Sequence, residues 1–231
     1  IMAQHQAKGR KALTKARQML IRTYGYPEAN IEAKLRFRKL SKAVDIIAEG
    51  ERGLYDAVVL GRRGLSRLQE LMKESLSHEL LNIRMTIPIW ICRPEGDFRR
   101  NVLLYSDGST PSLRVADHVG FMLADQKQHR IQVYHVWDPA RENRLEAEDV
   151  VDQTVDLLVK NGVPHERIDR HIDRSAGFAR KILEKSENGL YSVVAVGRTG
   201  ERGSLFERLF MGSVSVKLLH NLKSATMWVS H

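Results

Sequence analysis

The sequence predicts an α/β protein built on parallel β-sheet and present in two tandem copies. Three observations predict it. Short apolar runs such as Val193-Val194-Ala195-Val196 alternate with segments of helical period, the pattern of a parallel sheet covered on both faces. Glycines close those runs, as at Gly197 and Gly200. The segment around them also occurs earlier in the chain.

Gly53-Leu54-Tyr55 followed by Val58 to Gly64 matches Gly189-Leu190-Tyr191 followed by Val194 to Gly200, at an offset of 136. Ser75, Leu80, Leu81 and Trp90 match Ser213, Leu218, Leu219 and Trp228 at an offset of 138. A period this long denotes two copies of a domain rather than a solenoid unit. The expected boundaries are residues 1–98 and 99–231, joined by the polar segment Arg93 to Arg100. Residues 101–137 have no counterpart in the first copy. Repeat symmetry therefore implies about 40 residues of strand–helix–strand ahead of Ile1.

In chain order, residues 1–24 carry Leu13, Ala16 and Leu20 at helical spacing and stop at Gly25-Tyr26-Pro27. Ile31 to Phe37 is expected to be a short strand. Lys42 to Arg52 is a helix, Tyr55–Leu60 a strand, Ser75–Arg84 a helix, and Ile87–Cys92 a strand. The second copy opens with the strand Asn101–Ser106 and the turn Asp107-Gly108-Ser109. A helix with Val115, Val119 and Met122 on one face follows, then the strand Arg130–Trp137. A helix around Val151, Val155 and Leu158, the strand Arg167–Ile172 and the helix Ala176–Lys185 lead to the strand from Tyr191. A helix opening at Gly212-Ser213 and the strand Ala225–Ser230 complete the chain.

Composition bounds the function. At 231 residues, 42% hydrophobic and 28% charged, the chain has the make-up of a globular protein, and no apolar run approaches the roughly 20 residues that span a bilayer. The single cysteine, Cys92, excludes an internal disulfide and fits a reducing cytoplasm. The net charge is +9, with 18 Lys/Arg against 11 Asp/Glu in residues 1–98. These charges are scattered along helices without aromatic interleaving, so they read as a solvated face and disfavour nucleic acid as partner. No GxxxxGK[ST] loop is present, which argues against conventional phosphoryl transfer. Ser109, Ser204 and Ser213 lack a histidine–acid pattern, and His165 and His171 lack further metal ligands. Arg62 and Arg198, each just after the first glycine of its copy, are placed to meet phosphate, but the plainer reading is exposed loop arginines.

A strand ending in glycines, next to a Gly-Ser at a helix start, suits phosphate: glycine lets the backbone approach the oxygens, and unpaired N–H groups favour an anion. The order strand-Asp-Gly-Ser, then Val196-Gly197-Arg198-Thr199-Gly200, then Gly212-Ser213, resembles the universal stress protein family. Its signature is a glycine, two residues, a glycine, nine residues, and Gly-Ser or Gly-Thr. The resemblance implies two five-stranded parallel-sheet domains, Rossmann-like and similar to the adenine-nucleotide alpha-hydrolases, the first incomplete. One subgroup of the family binds ATP through the signature.

In the first copy Gly61, Gly64 and Ser75 keep that spacing, but Glu74 replaces the third glycine and brings like-charge repulsion to a phosphate site. The second copy holds Gly197, Gly200, Gly212 and Ser213, with eleven residues between Gly200 and Gly212. The resemblance places Asp107 at the adenosine side and Val136 alongside the base. Gly197, Thr199 and Gly200 would lie at ribose and phosphates, with Gly212, Ser213 and Ser215 capping the phosphate tail. Asp107 also suits a turn or helix-capping role. The implied ligand is ATP or a related adenine nucleotide, with Mg as its counter-ion. The implied role is a cytoplasmic ligand-responsive module with protein partners, forming an intramolecular pseudo-dimer or a further homodimer. A nucleotide-free scaffold and a slow ATPase or self-phosphorylating protein are the alternatives. The two final strands, IPIWIC and ATMWVS, are expected to bring Trp90 and Trp228 together.

Overall fold

The computed structural model describes residues 2–37, 42–61, 87–93, 99–189, 191–198 and 213–230. It divides into a compact unit over Ile1–Asp45 and a larger one over Ile46–His231. The smaller unit holds helix α1 (Met2–Arg22), which ends where Gly25 adopts φ +70°. Arg17 and Glu28 form an exposed ion pair of 3.1 Å. The strand expected over Ile31–Phe37 does not form: no ladder partner accompanies it among the described residues, and an extended segment without one is not a strand. Helix α2 (Lys42–Arg52) follows.

The larger unit is one seven-stranded sheet. Its strands are β1 (Val58–Gly61), β2 (Ile89–Cys92), β3 (Asn101–Tyr105), β4 (Ile131–Trp137), β5 (Ile168–Arg174), β6 (Tyr191–Gly197) and β7 (Thr226–Ser230). They lie in the order β1-β2-β7-β6-β3-β4-β5. All neighbours run parallel except β2 and β7, which are antiparallel with Trp90 opposite Trp228. Strands β3 to β7 are contiguous, but they do not form the separate five-stranded sheet expected: β1 and β2 continue the same sheet to seven strands.

Helices α3 (Thr110–Leu123) and α4 (Arg144–Lys160) cover one face, and α5 (Phe178–Asn188) and α6 (Ser213–Asn221) the other. Alternation across each strand sorts the core. Val102, Leu104, Val133 and Ala195 pack with Val115, Val119, Val155 and Leu158. Leu103, Tyr134, Val194 and Met227 pack with Ile182, Leu218 and Leu222. Both faces are apolar along the central strands, which is why these read as continuous hydrophobic runs.

Helix starts and stops follow from capping. Asn143 accepts from Leu145 N and Glu146 N while Glu146 returns a bond to Asn143 N, a complete capping box on α4. At the other end of α3, the buried Arg167 guanidinium donates to the carbonyls of Leu123, Ala124, Gln126 and His129, all at 2.8–2.9 Å. It satisfies acceptors that the helix leaves open.

Candidate functional site

The carboxyl ends of β3, β4 and β6 converge, and open parallel sheets present ligands there. Ser106 follows β3 with no exposed surface, and Asp107 after it is exposed. Asp107 Oδ1 accepts from Ser109 N at 3.1 Å and Ser109 Oγ at 2.6 Å, while Oδ2 has no partner among the described residues. Ser109 is the N-cap of α3, accepting from Ser112 N at 3.4 Å. One carboxylate oxygen thus fixes the turn, the turn role that Asp-Gly-Ser suits. Gly108 permits this turn, at φ +74° and with Val150 beside it.

Beneath the turn, hydroxyls form a buried chain. Ser106 Oγ lies 2.8 Å from Thr154 Oγ1 and 3.3 Å from Ser112 Oγ. Ser112 Oγ donates to Ser109 O at 2.9 Å, and Thr154 Oγ1 lies 2.8 Å from Val150 O. His135, 2% exposed, sits beside them. Its Nδ1 is 2.7 Å from Ser106 O and its Nε2 3.1 Å from Glu142 Oε1. The Glu142 contact fastens the loop after β4, and Arg141 Cζ lies 5.7 Å over the Phe178 ring. Burial, then the nearby Asp107 and Glu142 carboxylates, push the Tyr105 phenol far above its usual range.

Opposite Asp107, β6 ends at Gly197. A Cβ there would meet Ser112 N at 2.6 Å and Pro111 C at 2.8 Å, so only glycine brings the strand end this close to the start of α3. Ser215 Oγ, 1% exposed, donates to Gly197 O at 2.9 Å or Arg198 O at 3.3 Å. This hydroxyl pins the strand end to the first turn of α6, a use of Ser215 different from the phosphate contact expected of it. Val136 has no exposed surface and packs in the apolar core with Tyr134, Val196 and Val229. Ser213 opens α6. Thr199, Gly200 and Gly212, like Arg62, Gly64, Glu74 and Ser75 in the first copy, lie outside the described residues.

Arg198 is not the exposed loop residue expected: it is 7% exposed, and its Nη1 has no hydrogen-bond partner among the described residues. His171 belongs to a separate polar cluster on β5, where Asp173 accepts from Tyr134 Oη at 2.8 Å and lies 3.2 Å from His171 Nε2. Among the described residues no group of histidine, cysteine, aspartate or glutamate is arranged to hold a metal ion. No described helix is long and apolar enough to cross a membrane. The His135–Glu142 and Ser106–Thr154 contacts escaped sequence reasoning because their partners belong to no motif; the burial of Arg198 escaped it because glycines flank the residue and read as loop.

A model of the universal stress protein family matches residues 99–230. The chain belongs to that family. Universal stress proteins are also its structural neighbours. One from Archaeoglobus fulgidus DSM 4304, 19% identical, aligns over 99% of this chain and 78% of its own with a TM-score of 0.68. A functionally unknown protein from Pseudomonas aeruginosa PAO1 aligns over 96% and 77%, at 14% identity and a TM-score of 0.59. A universal stress protein in complex with cAMP aligns over 58% and 97%, at 20% identity and a TM-score of 0.46. The first two likenesses establish the fold; at such identities they transfer no ligand. No curated protein sequence matches the chain.

Proposed function

We propose that this universal stress protein is a cytoplasmic, nucleotide-responsive regulatory module rather than an efficient enzyme. It takes one ATP, or a related adenine nucleotide, per chain. The observation that carries the reading is the pairing of Asp107, exposed and with only Oδ1 engaged among the described residues, with Gly197 held against the start of α3. A carboxylate suits the hydroxyls of a ribose, and an open glycine backbone beside two helix N-termini suits phosphates. Thr199, Gly200, Gly212 and Ser213 complete the phosphate side, with Gly197 at the ribose and Val136 beneath the base. Mg, where present, travels with the phosphates. The tandem division at 98/99 belongs to the same proposal. It is supported by the strand run β1-β2-β7-β6, which reads parallel, antiparallel, parallel from either end.

A second reading, a nucleotide-free scaffold that works through protein partners, is favoured by Ser215, whose hydroxyl is already spent on backbone carbonyls. Calorimetric titration with ATP, alongside mass spectrometry of small molecules released on denaturation, separates the two. The expected result is one site per chain, weakened about tenfold by Asp107→Ala. No binding favours the scaffold, and two equivalent sites overturn the reading of Glu74 as closing the first copy.

A further inference from the structure

Arg198 is a buried cation with no counter-charge among the described residues. Its N–H still donates to Ser230 O at 2.7 Å, as a strand residue's would. Gly197 before it faces α3, so alternation sends the Arg198 side chain to the face that α6 covers. The first turn of α6 lies there, tied by Ser215 Oγ to the carbonyls of Gly197 and Arg198. A helix N-terminus carries partial positive charge, so it cannot compensate a guanidinium. The side chain is 7% exposed, Nη1 is orphaned, and no carboxylate among the described residues pairs with it. Burial alone acts on the group, lowering its proton affinity, yet arginine stays charged in proteins. Buried charges are ordinarily paired, and an unpaired one destabilises the fold. Two positive features on one side of a strand end are reconciled by an anion between them.

We propose that Arg198 is the charge-reading residue of the ligand site: its guanidinium takes a phosphate oxygen, so the occupant is a phosphorylated nucleotide and not a bare nucleoside. The proposal rests on the nucleotide reading above and adds what that reading leaves open, the source of discrimination by charge. The fork of a guanidinium matches two phosphate oxygens at once, which backbone N–H groups alone do not provide.

The test compares wild type, Arg198→Met, Arg198→Lys and Asp107→Ala in titrations with ATP and with adenosine, and measures the melting temperature of each without ligand. Arg198→Met should lower ATP affinity about tenfold or more while leaving adenosine within about twofold. Arg198→Lys should fall between, and Asp107→Ala should weaken both ligands. Without ligand, Arg198→Met should melt no lower than wild type, because an apolar side chain of similar length removes an uncompensated charge. Unchanged ATP affinity in Arg198→Met overturns the proposal. So does a lower melting point with unchanged binding, which would mean an internal partner for the guanidinium. If wild type binds neither ATP nor adenosine, the nucleotide reading fails by itself, and inorganic tripolyphosphate becomes the probe. A rise in melting temperature with tripolyphosphate that Arg198→Met abolishes upholds the anion site, and its absence overturns that too.

Discussion

Trp90 and Trp228 stack face to face across the antiparallel junction of β2 and β7, with ring centroids 4.1 Å apart and planes 4° from parallel. His118 on α3 closes the group. Its ring lies 5.8 Å and 5.6 Å from the two indoles, and its Nε2 accepts from Trp90 Nε1 at 2.9 Å. The antiparallel pair joins β1-β2 to the sheet of the family-matched region, residues 99–230.

This contact makes the fold acid-sensitive. His118 accepts only while that nitrogen is unprotonated, and burial pushes its pKa from 6.5 down to about 4 against the opposing pull of Asp56 and Asp117. Because the unfolded chain takes up the proton first, stability is full above about pH 6.5, falls as the pH drops towards 4, and levels off below. The slope should be about 1 kcal/mol per pH unit in that window. Urea unfolding at pH 7 and pH 5 measures it, and His118→Gln, which keeps an acceptor for Trp90, should flatten the profile. An equal slope in the variant would assign the acid sensitivity elsewhere.

Gly197→Ala should destabilise the protein by about 1–3 kcal/mol. The added methyl meets backbone atoms of Pro111 and Ser112, which cannot swing aside as a side chain would. Thermal unfolding reads the loss, and an unchanged melting temperature would show that the strand end has slack.

Arg167 should prove intolerant even of lysine. Four carbonyls converge on its guanidinium, and one ammonium cannot reach them all. Arg167→Lys and Arg167→Met should each cost about 2–4 kcal/mol in urea unfolding. A lysine variant as stable as wild type would reduce the site to a simple charge at a helix end.

His135 and Glu142 are both largely buried, 3.1 Å apart. Glu142→Gln can still donate its amide N–H to a neutral His135 ring, whereas Glu142→Ala leaves Nε2 without a partner. Denaturant titration should place the glutamine variant within about 1 kcal/mol of wild type and the alanine variant about 2–3 kcal/mol lower. Equal losses would mean that the ionised pair itself matters.

Much of the architecture was legible in the residues because it depends on local pattern. The apolar runs at Val193–Val196 and Asn101–Tyr105 could be buried only as central strands, and the turn Asp107-Gly108-Ser109 carries its own hydrogen-bonding chemistry. The matched runs IPIWIC and ATMWVS foretold the Trp90–Trp228 stack, since equivalent edge strands with apolar side chains find one another. Ile31–Phe37 misled because β-propensity does not supply a pairing partner.

The sequence by itself determined the family, the parallel sheet and the positions of Asp107 and Gly197, since spacing and turn chemistry are properties of neighbouring residues. Only the tertiary structure decided how those residues are employed. Ser106 meets Thr154 48 positions away, Ser215 is spent on the end of β6, and Arg198 is buried although its neighbours read as loop. Burial and hydrogen-bond partnership are set by which strands and helices close over a residue, and one-dimensional order does not contain that.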